Sequence, residues 1–354
     1  MKSPVTVLYF LVVFSTILEA KNRNFTIYWN VPTESCQRHQ VYFQPILAEL
    51  RIVYNTDDKF SGEKIRILYN PGLWPSLEHG KEINGGMPHH GDLNLHLTEL
   101  EQYIVKNIPK NYTGLIVIDM ESWRPVFRQN TGWMLIYRNL TQEEIKKEIP
   151  NLALALKNDP TNKSLQNTVF TKAARLFEFF ARAFMEQSMV ELKKLRKDAK
   201  WGYYGFPYCF NMYGTTSATR TEACPVIVRE ENNETGWLFR AYDHWFPSVY
   251  IPEEDFSPEE RMKLVRGRAN EYRRLRNKFN VKAKIYPYVW FVYNLKENYL
   301  TEGDLRNTLV SLKDGEMDGA VIWGASNNLN SKRLCEKLLE YTNTTMRKII
   351  EELQ

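Results

Sequence analysis

Two hydrophobic patterns alternate along this chain. Short runs that are almost wholly apolar or aromatic, with the character of β-strands, occupy residues 25–31, 64–69, 115–121, 202–206, 248–251, 284–291 and 319–324. Between them lie longer stretches in which apolar residues recur at helical spacing, at 40–54, 92–107, 164–197, 258–278, 302–312 and 331–352. In the longest of these, Val169, Ala173, Leu176, Phe180, Ala183 and Phe184 form an apolar stripe, while Lys172, Arg175 and Arg182 fall elsewhere on the wheel. Such a stripe predicts a helix packed on a core.

Strands that alternate with helices over a whole chain predict a parallel sheet, either open and doubly wound or closed into a barrel. An open dinucleotide-binding sheet needs a glycine-rich turn after its first strand. Here the first strand runs into Asn30-Val31-Pro32-Thr33, without a glycine. The prediction is therefore an α/β fold, a TIM-like (β/α) barrel in a single domain. Its chemistry belongs where strands end and the following loops begin.

Composition and the N-terminus add an address. Lys2 precedes an apolar run from Val5 to Leu18, and Ala20 supplies a small residue at a cleavage point. The run is shorter than the roughly 20 residues that cross a bilayer, so 1–20 is expected to be a secretory signal and 21–354 the mature, extracellular chain. Four cysteines, Cys36, Cys209, Cys224 and Cys335, suit that compartment and allow three pairings. None has the close spacing of a structural zinc site, and no metal is expected. Sequons at Asn24, Asn111, Asn139, Asn162, Asn233 and Asn343 are candidate glycosylation sites. The net charge of +5 favours an anionic partner without a basic block that would suggest nucleic acid. Arg261, Arg266, Arg268, Arg273, Arg274 and Arg276 form a basic helix, read mainly as a solvated face.

The most informative stretch is 114–130, where Leu115 to Ile118 lead directly into Asp119 and Glu121. Side chains two apart on a strand share a face, their Cα atoms about 6.5 Å apart, so both carboxylates are expected in one cleft. Glycoside hydrolysis needs such a pair: a protonated carboxyl for the leaving oxygen and a charged group to stabilise the cationic sugar centre. The ionised member raises the pKa of its neighbour and keeps the donor protonated.

The segment DMESWRPVFRQN (119–130) closely resembles the catalytic segment of the insect venom and salivary hyaluronidases, the family 56 glycoside hydrolases. The likeness continues through IYWNVPTESC (27–36), ILYNPG (67–72), WGYYGFPYC (201–209), PSVY (247–250), YPYVWFVY (286–293) and VIWGAS (321–326). The resemblance implies a distorted barrel of seven or eight strands and an endo-acting hydrolase. Its substrate would be hyaluronan, cut at β-1,4 bonds after N-acetylglucosamine, with chondroitin poorer. It implies no cofactor, and the chain is expected to be a monomer without a membrane anchor. By position Glu121 corresponds to the proton donor, Asp119 to the residue that orients the substrate's N-acetyl group, and Tyr204 to the tyrosine that supports the acetamido oxygen. That oxygen replaces an enzyme carboxylate as nucleophile. Tyr69, Asn70, Tyr250, Trp323, Ser326 and Asn327 correspond to substrate-contacting positions. The implied disulfides are Cys36–Cys335 and Cys209–Cys224.

Two departures stand out. Relatives commonly carry Asp where this chain has Asn70, and an acid where it has Asn327, so two charges near the groove are absent. These amides keep a second reading open, a catalytically weak paralogue that binds glycans or serves as a secreted antigen. A chitinase-like hydrolase is a third. It would need a further acid two residues before Asp119, and Val117 stands there. The role of Arg124, three residues past Glu121, is open between balancing the acids and a structural ion pair.

Overall fold

The computed structural model describes residues 24–214, 216–294 and 296–354, so the 1–20 signal segment lies outside the described residues. Among the described residues ten strands follow in order: β1 Thr26–Asn30, β2 Ile65–Tyr69, β3 Ser76–Glu78, β4 Lys81–Ile83, β5 Leu115–Asp119, β6 Lys200–Tyr203, β7 His244–Trp245, β8 Lys284–Ile285, β9 Tyr288–Trp290 and β10 Gly319–Trp323. Helices separate most of them, as the alternating pattern predicts. Among the described residues the ladders form the separate sheets β1-β10-β9, β2-β5-β6, β3-β4 and β7-β8.

The described chain divides into two compact units. One comprises the described residues up to Arg66 with Gly205–Asn233 and Asp243–Gln354; the other is Ile67–Tyr204 with Glu234–Tyr242. In the first, β1 and β10 pair in parallel from Thr26↔Gly319 to Asn30↔Trp323, and β9 joins β10 with Tyr288 opposite Val321. The central strand β10 is apolar because both its faces are covered: Ala320, Val321 and Ile322 are all buried. Gly319 sits where a Cβ would fall 1.8 Å from the Thr26 carbonyl oxygen, so only glycine lets the two backbones meet. The disulfides Cys36–Cys335 and Cys209–Cys224 both lie in this unit.

In the second unit β5 pairs in parallel with β6, from Leu115↔Lys200 to Ile118↔Tyr203. The helix Lys163–Leu195, capped at its start by the Asn162 side chain, buries Val169, Ala173, Phe177, Ala181, Phe184, Met185 and Ser188. The stripe read from the sequence is thus shifted. Val169, Ala173 and Phe184 are core, but Leu176, Phe180 and Ala183 flank it half-buried.

Prolines account for the main differences in strand limits. The run 248–251, bracketed by Pro247 and Pro252, makes one isolated bridge, Ser248↔Tyr288, in place of a strand. Pro287 divides the run 284–291 into β8 and β9, because it has no N–H to give a ladder. The helix Leu135–Glu148 is absent from the sequence reading. It buries Tyr137, Thr141 and Ile145 but leaves Leu135, Ile136 and Leu140 exposed, which blurs the apolar stripe.

Candidate active site

Strand β5 ends at Asp119, and its C-terminal end is held from both sides. The Asn70 N–H donates to the Asp119 carbonyl at 2.9 Å, and the Tyr204 N–H donates to the Ile118 carbonyl at 2.8 Å. These bonds bring Asp119, Asn70 and Tyr204 together at the ends of the adjacent strands β5, β2 and β6. Asp119 is half-buried, Met120 is buried, and Glu121 is exposed, so the two acids and the residue between them point different ways. Tyr203 is buried while Tyr204 is half-exposed, the same alternation on β6. Asn70 has φ of 44°, a left-handed conformation that asparagine tolerates better than most residues, and Tyr69 beside it is 53% exposed.

The acids are coupled. Burial, then the charge of Glu121 and a hydrogen bond with it, pushes the Asp119 carboxyl up to about 8. Although Glu121 is exposed as a whole, the protein packed around it partly desolvates its carboxyl and raises it too, against the charge of Arg124 and the hydrogen bond with Asp119. The pair therefore holds one proton well above the ordinary carboxylate range, and the two titrate together. The sequence reading put the rise on Glu121. The structure puts a large rise on Asp119, the deeper of the two, which is hydrogen-bonded to Glu121. Asp119 Oδ1 is buried without a hydrogen-bond partner among the described residues, so it is a polar atom available to a ligand N–H.

The turn after the acids is fixed by its own side chains. Trp123 is fully buried and donates its indole N–H to the Pro75 carbonyl at 2.7 Å. Arg124 donates from Nη1 to the Gln129 carbonyl at 2.6 Å, and its backbone N–H donates to Asn130 Oδ1 at 2.8 Å. Asn130, wholly buried, returns its amide to the carbonyls of Arg124, Val126 and Phe127. Arg124 thus balances the acids, drawing Glu121 toward the ionised form, and its hydrogen bond to a backbone carbonyl supports the turn. Trp123 and Asn130 are positioning residues that the sequence reading passed over, although both stand in the segment it singled out. His96 is a core residue of the same unit. It accepts from the Leu73 N–H at 3.1 Å, shares a 2.8 Å hydrogen bond with Ser188, and is pulled down to about 4 by burial.

In the other unit the strand ends β9 and β10 carry an aromatic group. Tyr250 and Trp323 stack with centroids 5.9 Å apart, and Trp290 meets Trp323 edge-on at 5.0 Å. Trp290 donates to Asn328 Oδ1 at 3.0 Å, and the Ala325 N–H donates to the same oxygen at 2.9 Å. That oxygen orders the turn that exposes Ser326 and Asn327. Trp323 Nε1 is buried without a partner among the described residues. Trp290 and Asn328 extend the set of residues read from the sequence. A half-exposed aromatic group with one unspent donor can pack on a sugar's C–H face and bond a hydroxyl.

The basic helix Pro258–Phe279 does not present free arginines. Arg261 pairs with Asp304 at 3.0 Å, Arg266 with Glu222 at 2.5 Å, Arg273 with Glu316 at 3.4 Å, Arg274 with Glu271 at 2.6 Å and Arg276 with Asp318 at 2.9 Å. Arg268 donates to the Ser248 carbonyl at 2.9 Å. The reading as a solvated face holds for the exposed Arg266, whereas the other five are half-buried, and Arg261, Arg268, Arg273, Arg276 and, through Asn233, Arg274 tie the helix to its own unit. Among the sequons, Asn24, Asn111, Asn139 and Asn343 are exposed. Asn162 donates its amide to Asp159 at 3.1 Å, and Asn233 accepts from Arg274 at 2.9 Å.

Comparison with known proteins places these features in a family. A family model described as hyaluronidase, glycoside hydrolase 56, matches residues 16–354. The chain is 55% identical over 335 residues to a salivary hyaluronidase of Lutzomyia longipalpis, covering 94% of this chain and 88% of that protein. It is 41% identical to a hyaluronidase of Vespa magnifica, covering 93% and 89%. Its fold matches the crystal structure of bee venom hyaluronidase with a TM-score of 0.82 at 34% identity, over 93% of this chain and 100% of that one. A second crystal structure, of bee venom hyaluronidase in complex with a hyaluronic acid tetramer, matches with a TM-score of 0.83 over 93% and 99%.

Proposed function

The chain belongs to the hyaluronidase family of glycoside hydrolases, and from that premise we propose that it is a secreted endo-β-N-acetylglucosaminidase that cuts the β-1,4 bonds of hyaluronan. The observation that carries this reading is the acid pair at the end of β5, where Asp119 and Glu121 are hydrogen-bonded to each other and both carboxyls are raised above their ordinary range. The match to bee venom hyaluronidase in complex with a hyaluronic acid tetramer, over 93% of this chain and 99% of that one, supports the choice of substrate. Both units are taken as parts of one catalytic domain, 21–354, with the distorted TIM-like barrel of that relative. The enzyme acts as a monomer and cuts chondroitin more weakly.

The reaction is retaining and substrate-assisted. As N-acetylglucosamine binds, its acetamido N–H meets the unpartnered Oδ1 of Asp119. That hydrogen bond favours the ionised form of Asp119, and the shared proton moves to Glu121. Glu121 gives it to the glycosidic oxygen while the acetamido oxygen, supported by Tyr204, closes on the anomeric carbon as the C–O bond breaks. Asp119 stabilises the cyclic cation. Glu121, now a carboxylate, takes a proton from water as the water opens the ring. The product keeps the β configuration, and the pair has its single proton again. Tyr69, Asn70, Tyr250, Trp323, Ser326 and Asn327 contact sugar in this reading.

Hyaluronan digestion followed by mass spectrometry and anomeric proton NMR tests the proposal. The expected products are even-numbered oligosaccharides ending in N-acetylglucosamine, released first as the β anomer. Initial release of the α anomer would exclude substrate assistance. The exposed amides Asn70 and Asn327 favour the weak-paralogue reading, and hyaluronan-gel zymography decides it: a blank lane at high loading would support binding without turnover. The buried Val117 leaves no upstream acid for chitinase-type chemistry.

A further inference from the structure

The unit that contains the acid pair also carries a group of ionisable side chains with no part in that reaction. His89 and His90 belong to the turn Pro88–His90, which follows the β3–β4 hairpin, and Glu144 comes from the helix Leu135–Glu148. His89 Nε2 lies 2.7 Å from Glu144 Oε2, and His90 Nε2 lies 3.4 Å from the same oxygen. The two imidazoles meet edge to face with centroids 4.5 Å apart. Ligand-type atoms of all three residues fall within 4.8 Å of one another.

We propose that His89, His90 and Glu144 form a binding site for a divalent transition-metal ion, with Zn²⁺ the preferred occupant. Two imidazoles and one carboxylate are a donor set that zinc accepts, leaving a fourth position for water, whereas calcium and magnesium favour all-oxygen sites. Around a tetrahedral ion with bonds of about 2.0–2.1 Å, neighbouring ligand atoms stand roughly 3.3 Å apart. The observed 2.7 and 3.4 Å from the two imidazoles to Glu144 Oε2 bracket that spacing, and the ligand atoms of the three residues all lie within 4.8 Å of one another, so side-chain adjustment alone can gather them on one ion.

Both platforms are held in place. The Asn84 side chain donates to the Leu73 and Asp92 carbonyls and accepts from the Asp92 N–H, which fixes the turn at its two ends. The helix is tied back to the hairpin by Tyr137, whose hydroxyl accepts from the Leu77 N–H at 2.9 Å. Exposure is graded across the site: the His89 side chain is 3% accessible, Glu144 28% and His90 49%, which gives a buried anchor and an open side. His89 Nδ1 is buried without a partner among the described residues. Nothing there pins the ring tautomer, and Nε2 is able to turn its lone pair to a cation. A plain ion pair between His89 and Glu144 does not account for His90 turning its own Nε2 to the same oxygen.

The test uses the full secreted chain, stripped with chelator and titrated with zinc chloride at pH 7.5 by calorimetry and thermal unfolding. The expected result is one ion per chain, with Tm raised by about 3–4 °C at a hundredfold excess over Kd. Cobalt chloride should produce the visible absorption of a tetrahedral ion. His90→Ala and Glu144→Gln, both at accessible side chains, should each weaken zinc binding at least about tenfold and abolish the cobalt band, with unchanged circular dichroism. Absence of binding, or binding that survives both substitutions because surface residues such as His39 and His79 hold the ion, would overturn the proposal. Neither readout depends on hydrolysis of hyaluronan.

Discussion

Glu121→Gln keeps the size and hydrogen-bonding capacity of the side chain but removes the proton that must reach the glycosidic oxygen. Turnover should fall by at least about 10²–10⁴ while hyaluronan binding changes little, as read by kcat against KM and by equilibrium binding of an oligosaccharide. A variant within a few-fold of wild type would remove Glu121 from the donor role. Asp119 gives a second prediction through pH. Its folded pKa of about 8 lies above the ordinary carboxylate value, so the native state binds a proton that the unfolded chain has released. This contribution is fully present below about pH 4 and is lost as pH rises through about 8, at no more than about 1.4 kcal/mol per pH unit. Asp119→Asn should therefore gain in Tm relative to wild type between pH 5 and pH 8, while losing activity at every pH. The acid pair itself was legible in the sequence because D-x-E after four apolar residues fixes spacing and face. Which acid holds the proton was not, because depth of burial decides it.

At the scale of elements, backbone proximity matters more than side-chain chemistry. Gly319→Ala would drive a Cβ into the Thr26 carbonyl at the first pair of the β1–β10 ladder. Neither backbone can retreat without breaking that ladder, so a loss of about 1–3 kcal/mol is expected, measured as a lower denaturant midpoint. A wild-type midpoint would show that the strands separate freely at this end. The helix Pro258–Phe279 shows why charge counts along a sequence mislead. Its capping box of Ser257 and Glu260 follows a local rule and is visible in the sequence. The acidic partners of its arginines come from positions as far off as Glu222 and Asp318, and no local pattern announces them.

For the molecule as a whole, the two disulfides differ chiefly in the loops they close. Cys36–Cys335 spans 299 positions and Cys209–Cys224 spans 15. The chain-entropy model assigns about 5–6 kcal/mol to the first and about 3 kcal/mol to the second. Replacing Cys36 and Cys335 together by Ser should lower the unfolding midpoint more than replacing Cys209 and Cys224. The opposite order would mean that local strain or residual structure dominates. Electrostatic capture of the polyanion should be modest, since the net charge is +5 and the densest arginine run is already paired. KM for hyaluronan should rise only a few-fold as salt is increased past the point where the screening length is about 8 Å.

The sequence by itself determined the alternation of strands and helices, the acids at the end of β5, the candidate cysteines and the family signature spread from 27 to 326. These are local quantities: periodicity, spacing along one strand and short ordered motifs. Tertiary structure alone decided what depends on residues far apart in the chain meeting in space. It moved the buried stripe of the helix Lys163–Leu195 toward Phe177 and Ala181, and turned the arginine helix into a paired one. It brought Glu144 to His89 and His90 from 55 residues away, and it set the proton of the acid pair by burial. The energies of burial and charge pairing belong to neighbours in space, and a linear order does not name them.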